Sequence, residues 1–333
     1  MYELLKKLTA TAAVSGREGK LADLLETLIA PYADEVKRDT LGNLIAVRRG
    51  SGDQGEKKKI LLSAHMDEIG FFVTYIEASG LLRITPVGAV DFTASAMERV
   101  VSETGVKGLL VRAVNADKNF SFDQFYIDIG ATDRKDAERR VTVGDFFTAE
   151  SGVTRLMHKR VAGRPLDDRA GCAVLLKVAE EIAKTGCRDD LYYVFSVQEE
   201  VGCRGARTAA AGISPDLAIT FDMTCTGDVP GAKPMACKLG GGAAIKLKDG
   251  SVITDAELSD ALRDTAKKNG IPVQYEVVGE GATDSSAIQS AGFGCRVAVL
   301  SVPARYLHSG VETCDLSDME ACVRLAVAFL SGK

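Results

Sequence analysis

Four runs of this chain are almost continuously apolar: KILLSAH (59–65), DLYYVFSVQ (190–198), DLAITFD (216–222) and CRVAVLSV (295–302). A strand with one wet face alternates apolar and polar residues, so a strand without alternation must be covered on both sides. Segments of helical period lie between these runs. Arg169–Lys184 carries Val174, Leu175, Val178 and Ile182 on one side, and Gly205–Ala211, Asp255–Asn269, Asp284–Ser290 and Ser317–Leu330 read as further helices. Such alternation implies an α/β fold with a central, mostly parallel sheet flanked by helices. Ser317 and Glu320 fit a capping box for the last helix, and Thr283 or Asp284 fits a cap for the short one. The beginning of the chain agrees with this plan. Tyr2–Thr11 and Glu18–Ile29 have helical spacing, DTLGNLIAVRRG reads as a turn and a strand, and residues 51–58 read as a polar hairpin loop.

The pattern changes between residues 69 and 157. GFFVTYIE, LLRITPVG, ERVVSETG, VKGLLVRAV, FYIDIGA and RVTVGDFFTAE are short β-type runs separated by glycine and charged turns, with at most a short helix near Arg134–Arg139. Several short strands at turn-separated spacing suggest a small β-rich module. It reads as an insertion at 69–157, splitting a larger domain made of residues 1–68 and 158–333.

The 333 residues are 46% hydrophobic and 26% charged, enough for a sizeable core, and the net charge is −5. That sign argues against nucleic acid or an acidic membrane as the main partner. The first residues, MYELLKKLTATAAVSG, are interrupted by Glu3, Lys6 and Lys7 and do not read as a signal peptide. The eight cysteines form no CxxC pair, so reduced thiols in a cytoplasm are the simplest expectation.

The ends of the apolar runs carry the chemistry. His65 and Asp222 close two of them, Glu199 and Glu200 follow a third, and His308 follows the fourth after a loop. Asp167 stands just before a helix. Ligands in open α/β sheets gather at the carboxyl ends of strands, so these segments deliver ligand-type residues to one edge. Two adjacent carboxylates at a strand end repel unless something positive lies between them. Two histidines with several carboxylates suit Zn²⁺, Co²⁺ or Mn²⁺. Two such ions about 3.5–4 Å apart could share a bridging carboxylate and acidify a water. With only three histidines in the chain, the choice of imidazoles is narrow. Asp67, two residues after His65, is a carboxylate placed to orient that ring.

Each piece has a plainer reading. His65 alone could be a core histidine, Asp167 and Asp168 a helix cap, Glu199 and Glu200 a solvated strand end, Asp222 the start of a turn, and His308 a loop residue. His158 has no ligand-like company. Cys203 and Cys225 read as packing residues, and KLGGGAAIK as a tight turn.

SAHMDEIGF, RPLDDRAG, QEEVGCRGA, AITFDMT with GDVPG, and RYLHSGVE together resemble the dinuclear-metal aminopeptidases of the glutamyl/deblocking family. These are also called tetrahedral aminopeptidases, and some members carry the name cellulase M. The motifs cover most of the chain in the family's order. The resemblance implies a zinc-peptidase α/β domain with an inserted dimerisation module, and hydrolysis of N-terminal residues from short peptides. It implies His65, Asp222, Glu200 and His308 as ligands of two divalent ions, Asp167 as the bridge, a cis Asp167–Asp168 peptide bond, Glu199 as general base, and Asp67 holding His65. It also implies a homo-oligomer, in many relatives a hollow dodecamer built from dimers. Other readings stay open on the residues alone. A dinuclear carboxypeptidase or amide deacylase could use Arg305 for a substrate carboxylate. A glycosidase could use the paired carboxylates, and a non-catalytic scaffold could use the metals for structure alone.

Overall fold

The computed structural model describes residues 1–53, 56–95, 97–114 and 121–332. In chain order, α1 (Tyr2–Thr9) and α2 (Gly19–Ile29) precede β1 (Glu35–Arg38), β2 (Leu44–Arg48) and β3 (Lys59–His65). Next come β4 (Gly70–Ile76), β5 (Leu82–Val87), β6 (Arg99–Ser102), β7 (Lys107–Arg112) and β8 (Phe125–Asp128), then α3 (Arg134–Ala137) and β9 (Phe146–Ala149). The chain continues through β10 (Gly152–Arg155), β11 (Arg160–Arg164), α4 (Arg169–Thr185), β12 (Asp190–Ser196), α5 (Arg204–Ile213), β13 (Leu217–Cys225) and β14 (Ala243–Lys248). It ends with α6 (Ala256–Lys268), β15 (Val273–Val277), α7 (Asp284–Gln289), β16 (Arg296–Arg305), β17 (Thr313–Asp315) and α8 (Leu316–Leu330).

The four apolar runs become β12, β3, β13 and β16, adjacent and parallel in the middle of an 11-stranded sheet. The outer pairs, β1 with β2, β16 with β17 and β10 with β11, are antiparallel. Ile60, Leu62 and Ala64 pack toward α1, α2, α4 and α8, while Leu61 packs with α5 and α7 on the opposite face. Both faces are therefore dry, which is why these strands need no polar alternation.

A separate closed barrel runs β4-β5-β8-β7-β6-β9, with Phe71, Val73, Leu82, Ile84, Leu110, Phe125, Ile127 and Phe147 filling it. Closure leaves no unpaired edge within the module. Residues 152–155, inside the 69–157 range read from the sequence, pair with β11 in the large sheet.

Two local expectations are corrected. Residues 51–58 do not close a hairpin, because β12 lies between β2 and β3 and pairs with both; residues 54 and 55 of that loop lie outside the described residues. Helix α8 is capped by Asp315, whose carboxylate accepts the Ser317 N–H at 2.9 Å and the Ser317 hydroxyl at 2.5 Å. Glu320 instead pairs with Lys159 at 3.1 Å. Asp315 precedes Ser317, so the better-placed side chain takes the capping position. Among the described residues no helix is long and apolar enough to cross a membrane.

Candidate active site

Parallel pairing sets the site's floor. His65 lies opposite Ser196, and Thr220 opposite Ser63, so Asp222 stands level with His65 at the carboxyl edge of neighbouring strands. Glu199 and Glu200 follow β12 in the turn that leads to α5. Asp167 and Asp168 occupy the turn from β11 to α4 and are joined by a cis peptide bond. His308 lies between β16 and β17.

These segments converge. His65 Nε2 is 3.3 Å from Asp167 Oδ1 and 3.9 Å from Asp222 Oδ1. His308 Nε2 is 3.2 Å from Asp167 Oδ2 and 3.6 Å from Glu200 Oε1. Asp167 therefore turns one oxygen to each histidine. Two groups result that could each hold a cation: His65, Asp168 and Asp222, and Asp167, Glu200 and His308. Asp168 also caps α4, its Oδ1 accepting the Gly171 N–H at 2.8 Å. Sequence reading expected Asp167 to be shared; Asp168 near His65 and Asp222 is an addition.

The supporting contacts define what each ligand-type group can do. His65 Nδ1 is 3.0 Å from the Asp67 main-chain oxygen. A carbonyl only accepts, so Nδ1 carries a proton, and Nε2 is the nitrogen turned toward the carboxylates. The Asp67 carboxylate is 3.6 Å from that ring nitrogen and serves other partners. Its Oδ1 accepts the Glu199 N–H at 2.9 Å, and its Oδ2 accepts the Glu200 N–H at 3.1 Å and the Ser15 hydroxyl at 2.6 Å.

Two residues without a role in the sequence reading complete the frame. Glu312 accepts the His308 N–H at 3.0 Å through one oxygen, and the Leu166 and Asp167 N–H groups at 2.7 and 3.1 Å through the other. It ties the Asp167 turn to the His308 loop. Arg169 is wholly buried; its guanidinium donates to the main-chain oxygens of Leu8, Met66 and Thr11 and to Glu68 Oε1 at 3.2 Å. The signal for Arg169 was available: a charge opening an otherwise apolar helix must be paired. Glu312, four residues beyond His308 in a loop, carried no such sign.

Electrostatics show what the cluster lacks. Burial raises the Glu199 carboxyl to about 7, and burial with neighbouring carboxylates holds Glu200 and Asp222 well above their usual range. Burial opposes charge on His308, but Asp167 and Glu200 outweigh it and raise the ring to about 9. Burial likewise opposes charge on His65, and Asp167 and Asp67 hold it well above its ordinary value. Asp167, between two imidazoles, is lowered despite burial. So many carboxylates can share this space only with protons among them, or with cations in the protons' place. Asp167 Oδ1 and Asp168 Oδ2 are buried with no hydrogen-bond partner, as oxygens awaiting a cation would be. The donor set fits two divalent ions.

The remaining candidates fall outside the cluster or serve it differently. Arg305 is engaged by Asp228 at 3.0 and 2.7 Å, so the cation a carboxypeptidase would require is already neutralised. His158 is exposed. Cys225, expected to pack, is exposed, while Cys203 is buried. Asp284 opens α7 rather than capping it, and accepts the Ser196 hydroxyl beneath the site.

The profile of the M42 glutamyl aminopeptidase family matches residues 42–325. The chain belongs to that family. A putative aminopeptidase of Acetivibrio thermocellus is 44% identical over 329 residues, covering 98% of this chain and 97% of its own. Among solved structures, an aminopeptidase from the archaeon Desulfurococcus kamchatkensis superposes with a TM-score of 0.94 at 37% identity, over 99% of this chain and 94% of its own. The TET1 peptidase of Pyrococcus horikoshii, which can assemble into a tetrahedron or a large octahedral shell, matches with a TM-score of 0.87 at 34% identity, over 99% and 98%. This M42 member is a metal-dependent aminopeptidase.

Proposed function

We propose that this enzyme removes the N-terminal residue from short peptides, with Glu199 as general base beside two divalent ions, Zn²⁺ or Co²⁺ and alternatively Mn²⁺. His65 and Asp222 would hold one ion, Glu200 and His308 the other, and Asp167 both. Asp168 supports the first group. The observation that carries this reading is the Asp167 carboxylate with one oxygen at 3.3 Å from His65 and the other at 3.2 Å from His308. Two divalent cations supply Lewis-acid polarisation of a carbonyl and acidify water.

The chain's own groups do the rest. Glu199 is anchored through its N–H to Asp67, so its side chain starts from a fixed point. It accepts a proton from the attacking water and returns it to the leaving amine. Burial raises its affinity for a proton, while cations bound beside it would favour the ionised form that can take one from water. Glu200, its neighbour, faces His308 instead, which separates the two adjacent carboxylates into a base and a ligand.

The enzyme is proposed to act as a homo-oligomer, a dodecamer built from dimers through the barrel, in the cytoplasm. The related TET1 shell supports the assembly. The test is a panel of short peptides with free or acetylated N-termini, assayed before and after chelation and with Zn²⁺, Co²⁺ or Mn²⁺ restored. Metal-dependent release of single N-terminal residues from free-amine peptides is expected. Release from the carboxyl end, or removal of the acetyl group, would replace this reading by the carboxypeptidase or deacylase.

A further inference from the structure

We infer that Cys203 is a positioning residue for Glu199, its thiol fixing which carboxyl oxygen is left to take the proton. This rests on the assignment of Glu199 as the base. Cys203 is 3% exposed, and its Sγ lies 3.2 Å from Glu199 Oε1. Sγ is also 3.3 Å from the Thr283 carbonyl oxygen, and a thiol has a single proton to give. Thr283 O already receives the Ser286 N–H at 3.0 Å and the Ser286 hydroxyl at 2.9 Å. The single Ser286 proton is shared between that oxygen and the sulfur 3.7 Å away, but the Thr283 oxygen already holds an N–H and a carboxylate is the stronger acceptor, so the thiol proton goes to Glu199.

The backbone enforces this pairing. Gly202 N–H and Cys203 N–H both donate to the Glu199 carbonyl oxygen at 2.9 Å. Cys203 sits in the left-handed region at φ 52°, at the cap of α5, a conformation that side chains adopt at a cost. The turn thus returns the thiol to the carboxyl four residues earlier. Ser286, on α7, backs the sulfur at 3.7 Å. Among the described residues, Cys203 is the one side chain hydrogen-bonded to the Glu199 carboxyl, and that bond ends at Oε1. Oε2 is the oxygen left for water. A carboxyl free to rotate would present either oxygen and spend part of its time misaligned, a loss that falls on the chemical step.

The experiment compares Cys203→Ala and Cys203→Ser with the metal-loaded wild type, alongside Glu199→Gln. Cys203→Ala is expected to lower kcat roughly tenfold, the scale of one hydrogen bond, with KM and metal content unchanged. Cys203→Ser, which keeps a donor, should recover most of the rate. The second readout needs no turnover. The infrared S–H stretch of Cys203, identified as the band missing in Cys203→Ser, should lie below that of the other thiols and move up in Glu199→Gln. Wild-type kcat in Cys203→Ala, equal losses in the Ala and Ser variants, or an S–H band indifferent to Glu199→Gln would each overturn the inference. If Glu199→Gln itself keeps its rate, the base assignment fails instead, and the two failures are told apart.

Discussion

Replacing Asp67 by asparagine keeps the side chain's shape and turns one oxygen into a donor. In the structure Oδ1 accepts from Glu199 N–H, and Oδ2 accepts from Glu200 N–H and Ser15. The Ser15 hydroxyl can reverse and accept from the new amide. The two main-chain N–H groups cannot. Whichever way the amide is flipped, its NH₂ faces one of them, and a buried donor loses its partner. Such a loss costs about 1–3 kcal/mol. His65 is spared, because its Nδ1–H binds the Asp67 main-chain oxygen, which the substitution leaves in place. The damage therefore falls on the 199–200 segment, which holds the proposed base and one proposed ligand. Asp67→Asn should lower the unfolding free energy by about 1–3 kcal/mol in denaturant titrations. Metal affinity should fall about 10–100-fold by calorimetry, the usual scale for residues that orient ligands. The His65 tautomer, read from ¹⁵N chemical shifts, should not change. Wild-type stability and metal affinity would refute the role given to the carboxylate, and an altered His65 tautomer would refute the division of labour within Asp67.

Two other outcomes follow from the same contacts. Glu312→Gln sets an amide donor against the His308 N–H in one flip and against the Leu166 and Asp167 N–H groups in the other. It should cost about 1–3 kcal/mol and weaken binding of at least one ion, checked by metal content after dialysis; two tightly held ions would contradict it. Metal-stripped enzyme should lose stability as pH rises. Burial raises Glu199 and Glu312 to about 7 and Asp284 to about 6. Groups with raised folded values favour the fold while protonated, fully below about pH 4 where the unfolded carboxyls titrate, and lose that contribution as pH passes their folded values. Melting temperature of the stripped protein should fall between about pH 4 and 7, while the loaded protein stays flatter because cations replace the protons; a stripped protein that gains stability over that interval would be inconsistent with the buried cluster.

Much of this was legible in the chain. KILLSAH, DLYYVFS, DLAITFD and CRVAVLSV announced buried parallel strands because an apolar run without alternation has few other uses. Ligand-type residues at their ends then pointed to one edge. What the sequence did not show was lateral order. Nothing in the residues says that β12 inserts between β2 and β3, so the loop at 51–58 looked like a hairpin. Roles exercised through main-chain atoms were equally hidden. Asp67 was expected to hold His65 by its carboxylate; the ring is bonded to the Asp67 carbonyl oxygen, with the carboxylate 3.6 Å from the same nitrogen, and that carboxylate also grips two N–H groups 132 and 133 positions away. Glu312 works the same way on three N–H groups, and no spacing rule marks it. The capping box at Ser317 was misread because two oxygens compete for one helix end, and proximity to Asp315 decided the outcome.

The most direct test of the account is to measure metal content and turnover together in Glu199→Gln. A base that does not ligate should leave as many ions bound per chain as the wild type holds, two in the proposed site, while kcat on a free-amine peptide falls by roughly 10²–10⁴. Near-wild-type turnover would remove Glu199 from proton transfer. Loss of an ion together with the rate would make it a ligand instead, and the separation of Glu199 from Glu200 into base and ligand would not stand.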